Sequence, residues 1–377
     1  MELIRAGTYI DFMRHRLPVV GASFVLVTLS LVSLFVPGPN LGIDFAGGTE
    51  LHLAFQGDVK PGELRQTLED LGYRRPDVVS VEGSANEYIV RVREVSAIPE
   101  EKEASLKQGL EGALPSGVEL RRWKLSPGGD KISVELSGTV EQSILRGGLE
   151  AGGVEVRDVS ALNAADSHPY EIFLIGIADE IVRQLGEKLG ARGPESPRRV
   201  EWVGPKAGEQ LRDAAVKSLL YAIAFIMVYV AFRFDLRFAP GGVLAMFHDV
   251  VITLGIYVLV QKELNLTTIA ALLTILGYSI NDTIVVYDRI RENMGRLRDR
   301  SLADLINIST SQMLSRTIVT SGTTLLSILA FFVWGTPVIR DIAFALFCGI
   351  LIGTYSSIYV AAPVTEWMDR RFFSKVA

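Results

Sequence analysis

The stretch TTIAALLTILGYSINDTIVVY, residues 267–287, decides the fold. It is long enough to cross a hydrocarbon core of ~30 Å as a helix, yet it carries a carboxylate, Asp282, inside the apolar run. Its apolar residues do not alternate as barrel strands do, and an open strand would leave backbone groups unpaired in lipid, so a helix is expected. Comparable runs occur at Leu17–Val36, Ala214–Phe232, Gly241–Val260, Ile318–Val333 and Ile342–Pro363, which predicts six membrane-spanning helices. The first run follows Arg14, His15 and Arg16, as a signal peptide would, but it ends in Pro-Gly-Pro-Asn without an A-x-A-like site. An uncleaved signal anchor is expected.

Composition agrees. The chain has 377 residues and 21% charged side chains, yet its mean hydropathy is +0.29. Charge and apolarity must therefore be segregated along the sequence. A net charge of −5, with no basic run interleaved with aromatics, argues against a nucleic-acid partner. The single cysteine, Cys348, lies in an apolar segment, which excludes a disulfide framework and a thiolate metal site. With four histidines besides, no metal and no cofactor are expected. No Ser/His/Asp order, HExxH, Walker sequence or dinucleotide fingerprint occurs in a fitting context, so covalent catalysis is not expected.

Lys and Arg accumulate on the cytoplasmic side of membrane proteins. Placing the N-terminus inside puts Arg233 and Arg237, then Arg289, Arg291, Arg296, Arg298 and Arg300, then Arg370, Arg371 and Lys375 in the cytoplasm. The alternate loops, 261–266 and 334–341, carry only Lys262 and Arg340. The expected divisions are residues 1–36 (cytoplasmic N-terminus and first span), 37–127 and 128–212 (two periplasmic α+β modules), 213–363 (spans two to six) and 364–377 (cytoplasmic tail).

Within the extracytoplasmic part, LHLAF, a helix around Leu64–Leu71, VVSVEG, EYIVRVR, a helix over Pro99–Leu114 and VELRRWKL follow the ferredoxin-like order βαββαβ. The order restarts at KISVELSG, with a helix at Val140–Leu149, VEVRDVSAL, YEIFLIG, a helix at Ala178–Leu189 and RVEWVG. Two tandem ferredoxin-like modules are expected, divided at the turn-rich SPGGD, residues 126–130; one larger irregular α+β domain is the alternative.

Asp282 is the most informative position. A carboxylate in a span costs about 2.5 to 3.5 kcal/mol on insertion scales, so it should face the bundle interior or a hydrated path. Helical spacing puts Thr274, Tyr278, Ser279 and Asp282 near one face. His248 and Asp249 interrupt the third run at a similar depth and are candidates for a proton relay. The plainer alternative is a structural pair with an arginine. Arg316, Thr320, Thr323 and Ser327 fall on one stripe of the fifth span; Arg316 either relays charge or anchors the helix end, and the hydroxyls either support it or pack helices. Ser301 with Asp304 reads as a helix cap before LINISTSQML, a segment expected on the inner membrane surface. Asp44 with Gly47 and Gly48 fits no phosphate-loop pattern and reads as a tight turn into the first strand.

Taken together, LGIDFAGGTEL (41–51), VEWVGPKAGEQL (200–211), HDVVITLG (248–255), GYSINDTIVVYDRIREN (277–293) and SRTIVTSGTT (315–324) resemble the SecF family of the SecD/SecF protein-export complex, within the resistance-nodulation-division superfamily. The resemblance implies a six-span bacterial inner-membrane subunit driven by the proton motive force. It implies SecD and the SecYEG channel as partners, with YidC and YajC beside them, an unfolded preprotein as substrate and membrane lipid as surroundings. Asp282 and Arg316 match the positions the family assigns to proton transport, with Asp249 and His248 as further candidates and Ser279, Asn281, Thr320 and Thr323 as supporting polar positions. The outer domain is longer than the single small module the family usually carries in this subunit. The rival readings are a half-transporter of the superfamily exporting a lipid or small molecule, and a non-transporting translocon scaffold.

Overall fold

A computed structural model describes residues 8–74, 76–81, 84, 86–96, 98, 100–162 and 168–373. Lys375 of the expected basic tail, Pro99 at the start of an expected helix and Glu82 and Gly83 of an expected strand lie outside these residues. In chain order the elements are α1 (Arg16–Ser33), β1 (Asn40–Leu41), α2 (Ile43–Ala46), β2 (Gly48–Ala54), α3 (Pro61–Asp70), β3 (Asp77–Ser80), β4 (Glu87–Val92) and α4 (Glu100–Ala113). There follow β5 (Leu120–Leu125), β6 (Lys131–Leu136), α5 (Gln142–Glu150), β7 (Val156–Ala161), β8 (His168–Leu174), α6 (Ile177–Leu189), β9 (Arg199–Val203) and α7 (Pro205–Arg233). The last are α8 (Ala239–Leu259), β10 (Glu263–Leu264), α9 (Leu266–Arg296), α10 (Leu302–Trp334), α11 (Pro337–Ser356) and α12 (Ala362–Met368). They form two compact units, an α+β unit of Ile43–Leu211 and a helical unit of the described residues on either side of it.

Among the described residues the helical unit has 6 helical segments long and apolar enough to cross a membrane. α8 and α9 bury apolar residues such as Met246, Leu276 and Tyr287, but the outer spans turn apolar side chains outward: Phe24 is 71% and Phe225 74% exposed, while the buried side of α1 is Ser23, Ser30 and Ser33. An apolar exterior around small polar contacts is the arrangement that suits lipid, where close backbone approach rather than hydrophobic burial holds helices together. Ser30 of α1 lies directly over Gly255 of α8, where a side chain on the glycine would collide with it. Asn40 and Leu41 of β1 pair in parallel with Glu263 and Leu264 of β10, tying the segment after α1 to the turn before α9.

The fifth span differs from expectation. LINISTSQML is not a separate surface helix: α10 runs without a break from Leu302 to Trp334, capped by Ser301, whose Oγ accepts from the Asp304 amide. No proline lies between Ser301 and Trp334, and Leu305, Ile306, Asn307, Ser309 and Thr310 are buried. Asn307 donates to Tyr9 and Asp11, and Asn293 of α9 donates to Ser309 at 2.8 Å. Arg316 consequently sits mid-helix.

In the α+β unit the alternation Lys-Ile-Ser-Val-Glu-Leu of β6 places Ile132, Val134 and Leu136 inside and the polar residues outward. Two four-stranded antiparallel sheets form, in the orders β3-β4-β2-β9 and β5-β6-β8-β7. Both carry the expected α+β elements, but they are not consecutive halves of the chain. β9 pairs with β2, and β5 with β6, so the pairing crosses the division expected at 127/128. The helices follow their strands: Ile177, Ile181 and Leu185 of α6 join the core of Leu51, Leu53, Leu64 and Leu68, while Leu106 and Leu110 of α4 join that of Ile132, Val134, Leu145 and Leu149. The first ferredoxin-like sheet is therefore closed by the last helix and strand of the unit, and a circularly permuted copy is inserted within it.

This exchange brings the two ends of the unit together. Gly48 pairs with Val203, and the Cα of Pro205 lies where a side chain on Gly47 would sit. Gly47 and Gly48 have φ of 69° and 130°, backbone that only glycine adopts at little cost. A side chain on Gly48 would also collide with the Val92 carbonyl. The double glycine is thus the tight turn into the first strand.

Candidate functional site

Two carboxylates are enclosed in the helical unit: Asp249 of α8 is 0% exposed and Asp282 of α9 is 7% exposed. Asp282 Oδ1 accepts from Thr317 Oγ1 of α10 at 2.9 Å, and its Oδ2 from Ser357 Oγ at 3.3 Å. Asp249 Oδ2 accepts from Ser279 Oγ of α9 at 2.5 Å and from Ser356 Oγ at 2.8 Å, and its Oδ1 lies 2.9 Å from His248 Nδ1. Ser279 and Asp282 stand one turn apart on the same face of α9, as the spacing requires.

The two groups meet at one place on the last span. Ser356 ends α11 and Ser357 opens a π-helical turn, Ser357–Ala361, that leads into α12. Consecutive serines therefore reach different carboxylates, Ser356 to Asp249 and Ser357 to Asp282. π-Bulges are rare within helices and concentrate at functional sites. One turn earlier, Gly353 leaves room: a methyl there would lie 3.0 Å from Ser279 Cβ and 3.5 Å from Asp249 Oδ2. Among the described residues no arginine or lysine is paired with either carboxylate, so the structural arginine pair considered above is not what buries them.

The structure sorts the positions named from sequence. Asp282, Asp249, His248 and Ser279 come together. Asn281 points outward, as do Thr274, Thr320 and Thr323. Thr320 and Thr323 donate to the carbonyls of Arg316 and Val319 on their own helix, at 3.0 and 2.8 Å. Arg316 is exposed and lines a cleft of about 300 Å³ with Arg233, Asp288, Arg289 and Glu292. The polar stripe of α10 that enters the bundle is its neighbour by one residue, about 100° around the axis: Thr317 bonds Asp282, and Ser321 accepts from Thr354 at 2.8 Å. Thr317, Ser356 and Ser357 were not singled out from sequence; the signal for the last two was a Ser-Ser pair interrupting an apolar run.

One end of the helical unit concentrates arginine. Arg16 bonds Glu366 at 3.2 Å, Arg237 bonds Asp369 at 3.0 Å, and Arg233 and Arg289 share the Arg316 cleft. At the other end Lys262 pairs with Asp341 at 2.5 Å. Among the described residues no three His, Cys, Asp or Glu side chains group as metal ligands would.

A polytopic helical membrane protein with ionisable groups sealed in its bundle, and with an α+β unit that opens on a double-glycine turn, is the class these features define. Residues 186–371 match the family described as protein export membrane protein SecD/SecF, C-terminal, and residues 32–59 match the SecD/SecF GG motif. The chain belongs to the SecF family. It is 38% identical over 379 residues to the protein translocase subunit SecF of Magnetococcus marinus, covering 100% of this chain and 97% of that one. With the SecF of Pseudomonas aeruginosa it is 34% identical, covering 97% and 93%. The long α+β unit is therefore included in the likeness to the Magnetococcus protein. Among solved structures, the crystal structure of SecDF, a translocon-associated membrane protein from Thermus thermophilus, matches with a TM-score of 0.65 and 33% identity over 98% of this chain. This chain spans 40% of the length of that one.

Proposed function

We propose that the protein is a SecF-type subunit of a bacterial Sec translocase, which uses the proton motive force to promote preprotein transport across the inner membrane without covalent catalysis. The observation that carries this reading is Asp282, sealed in the bundle, held by two hydroxyls and bonded to no cation. A carboxylate so placed gains little from staying charged and is suited to bind and release a proton. Arg316, one residue before Thr317, supplies the nearby positive charge at the mouth of the cleft, and Asp249 and His248 lie in the same polar layer. The arginine-rich end of the unit is the cytoplasmic end by charge bias, which puts both termini in the cytoplasm and the α+β unit in the periplasm.

The outward face of α9 and α10, with Thr274, Asn281, Arg316, Thr320 and Thr323, is too polar for lipid and suits a second membrane subunit. SecD is that partner, beside the SecYEG channel, with YidC and YajC as further neighbours and membrane lipid over the apolar faces. Proton exchange at Asp282 shifts the two six-helix halves and moves the periplasmic domain against an emerging, unfolded preprotein. Each proton falling through 100 mV makes available about 2.3 kcal/mol, so several are needed per productive stroke.

Replacement of Asp282 by Asn keeps the side-chain shape but removes the charge and puts an amide donor where one of the two accepting oxygens was. In membrane vesicles, Asp282→Asn is expected to assemble normally with SecD and SecYEG and to lose proton-dependent export; wild-type export would refute the mechanism and favour a scaffold role.

A further inference from the structure

We infer that His248 and Asp249 form a second, enclosed proton-binding site whose occupancy is linked to that of Asp282 through Ser356 and Ser357. The inference rests on the reading of Asp282 as an exchanging carboxylate, and it adds a site with its own boundary and its own proton.

The argument starts from charge. A buried carboxylate must be balanced by a counter-charge or neutralised. Asp249 has no basic residue on α8 other than His248, so the surrounding elements must be searched. In α1 the one ionisable residue is Arg16, which is committed to Glu366 near the other end of the chain. From α9 the facing groups are Ser279, which is neutral, and Asp282, which is acidic. From α11 comes Tyr355, whose ring lies 6.1 Å from the His248 ring, with Tyr359 of the π-helical turn stacked 5.6 Å beyond it. Glu366 of α12 is acidic. Among the described residues the group in bonding distance able to neutralise Asp249 is the neighbouring imidazole.

The pair therefore holds one proton. Without it the enclosed pair carries a charge of −1; with it the pair is neutral, whether drawn as imidazolium and carboxylate or as imidazole and carboxylic acid. No other bond forms or breaks. A second, independent observation marks where that proton enters and leaves. His248 is 4% exposed, and its Nε2 is buried with no hydrogen-bond partner. Tyr355, the nearest hydroxyl-bearing ring, does not serve it, because its OH is shared with Ser23 Oγ at 2.7 Å and the Val19 carbonyl at 3.1 Å. A histidine kept only for packing has no need of an unsatisfied nitrogen in an apolar bundle, which is costly; a proton acceptor does.

Linkage to Asp282 follows from the shared serines. When Asp282 is protonated it becomes a weaker acceptor, and Ser357 is released. Ser356 is its covalent neighbour, on a stretch where the helical hydrogen-bond ladder is already widened by the π turn. Displacing it removes a donor from Asp249 and changes how readily the His248–Asp249 pair binds its proton. Two sites that bias one element must influence each other reciprocally.

The test is an infrared pH titration of the full-length protein in phospholipid bilayers, with the imidazole nitrogens followed in parallel by ¹⁵N resonance. Two carboxyl absorptions that respond to pH are expected, one lost in Asp282→Asn and the other in Asp249→Asn. In Asp282→Asn the remaining midpoint should move by about one pH unit, roughly tenfold in proton affinity, and Ser357→Ala should shrink that movement. In the unaltered protein one histidine signal, assigned with His248→Gln, should change together with the Asp249 band. A His248 signal and an Asp249 band that stay constant across the pH range overturn the second site while leaving Asp282 in place. An unshifted midpoint in Asp282→Asn overturns the linkage. Loss of response at Asp282 alone would instead sink the proposed function and leave the second site standing.

Discussion

In the α+β unit the fully enclosed side chains are those of residues such as Leu51, Leu64, Leu106, Ile132 and Leu145, and charge stays at the surface, as in the Arg183–Glu187 pair at 2.8 Å. The helical unit differs: its outer faces are apolar, and beside buried apolar residues such as Leu276 and Tyr287 it encloses Asp249, Asp282, His248, Ser279, Ser356 and Thr317. In water, burial of apolar area holds a domain together. In lipid that driving force is absent between helices, and a polar cluster in the bundle is retained at a cost. On the proposed function the polar cluster serves chemistry rather than stability, and substitutions in the two cores should then have different kinds of consequence.

The largest expected effect tests the apolar side of that comparison, and the exchanged topology with it. Leu110 and Leu185 are both 0% exposed. Truncating either to Ala should destabilise its module by about 2–5 kcal/mol through lost burial and the cavity left behind. Hydrogen exchange should show Leu110→Ala loosening the sheet that contains β6, and Leu185→Ala loosening the sheet that contains β2. Tandem halves would give the reverse pattern. Neither variant should alter proton exchange in the helical unit.

Next comes Gly353 of α11, which packs against Ser279 of α9 beside Asp249. Adding one methyl there pushes on Ser279 and α9, an overpacking cost of about 1–3 kcal/mol. Gly353→Ala is expected to lower the midpoint of thermal unfolding modestly and to impair proton flux more than that loss of stability explains. Unchanged flux with lowered stability would show that the polar layer tolerates displacement.

What could be read in the sequence divides along the same line. The six spans and the carboxylates stood out because apolar length and intramembrane charge are properties of single segments. The helices and strands of the α+β unit were equally legible, since alternation marks which face of LHLAF or KISVEL is buried. Which strand sits beside which was not, because alternation says nothing about the neighbour: RVEWVG serves equally well at the edge of either sheet. The choice is made by chain closure, with β9 beside β2 returning the chain to the double glycine. The hydroxyls of the site were hard for a related reason. Thr317 and Thr320 are the same residue type in the same motif, and only the rotation of α10 in the bundle separates the one that reaches Asp282 from the one that bonds its own helix.

That separation supplies the sharpest contrast, a shift at one threonine set against the smallest effect, near none, at the other. Thr317→Val removes a hydroxyl donor from a carboxylate while keeping the side-chain volume, and hydrogen bonds to charged groups are worth about 1.5–3 kcal/mol. Proton affinity at Asp282 should rise accordingly, since the ionised form loses a donor, and the infrared midpoint should move to higher pH. Thr320→Val removes only a hydroxyl bond shared by the Arg316 and Thr317 carbonyls of its own helix, a bond that slightly strains a helix, so the chain's stability and the Asp282 midpoint should stay within about 0.5 kcal/mol of the parent. If both valines shift the midpoint equally, hydroxyls on neighbouring stripes of α10 act alike on Asp282, and the enclosure of the carboxylate by the Thr317 stripe alone is wrong.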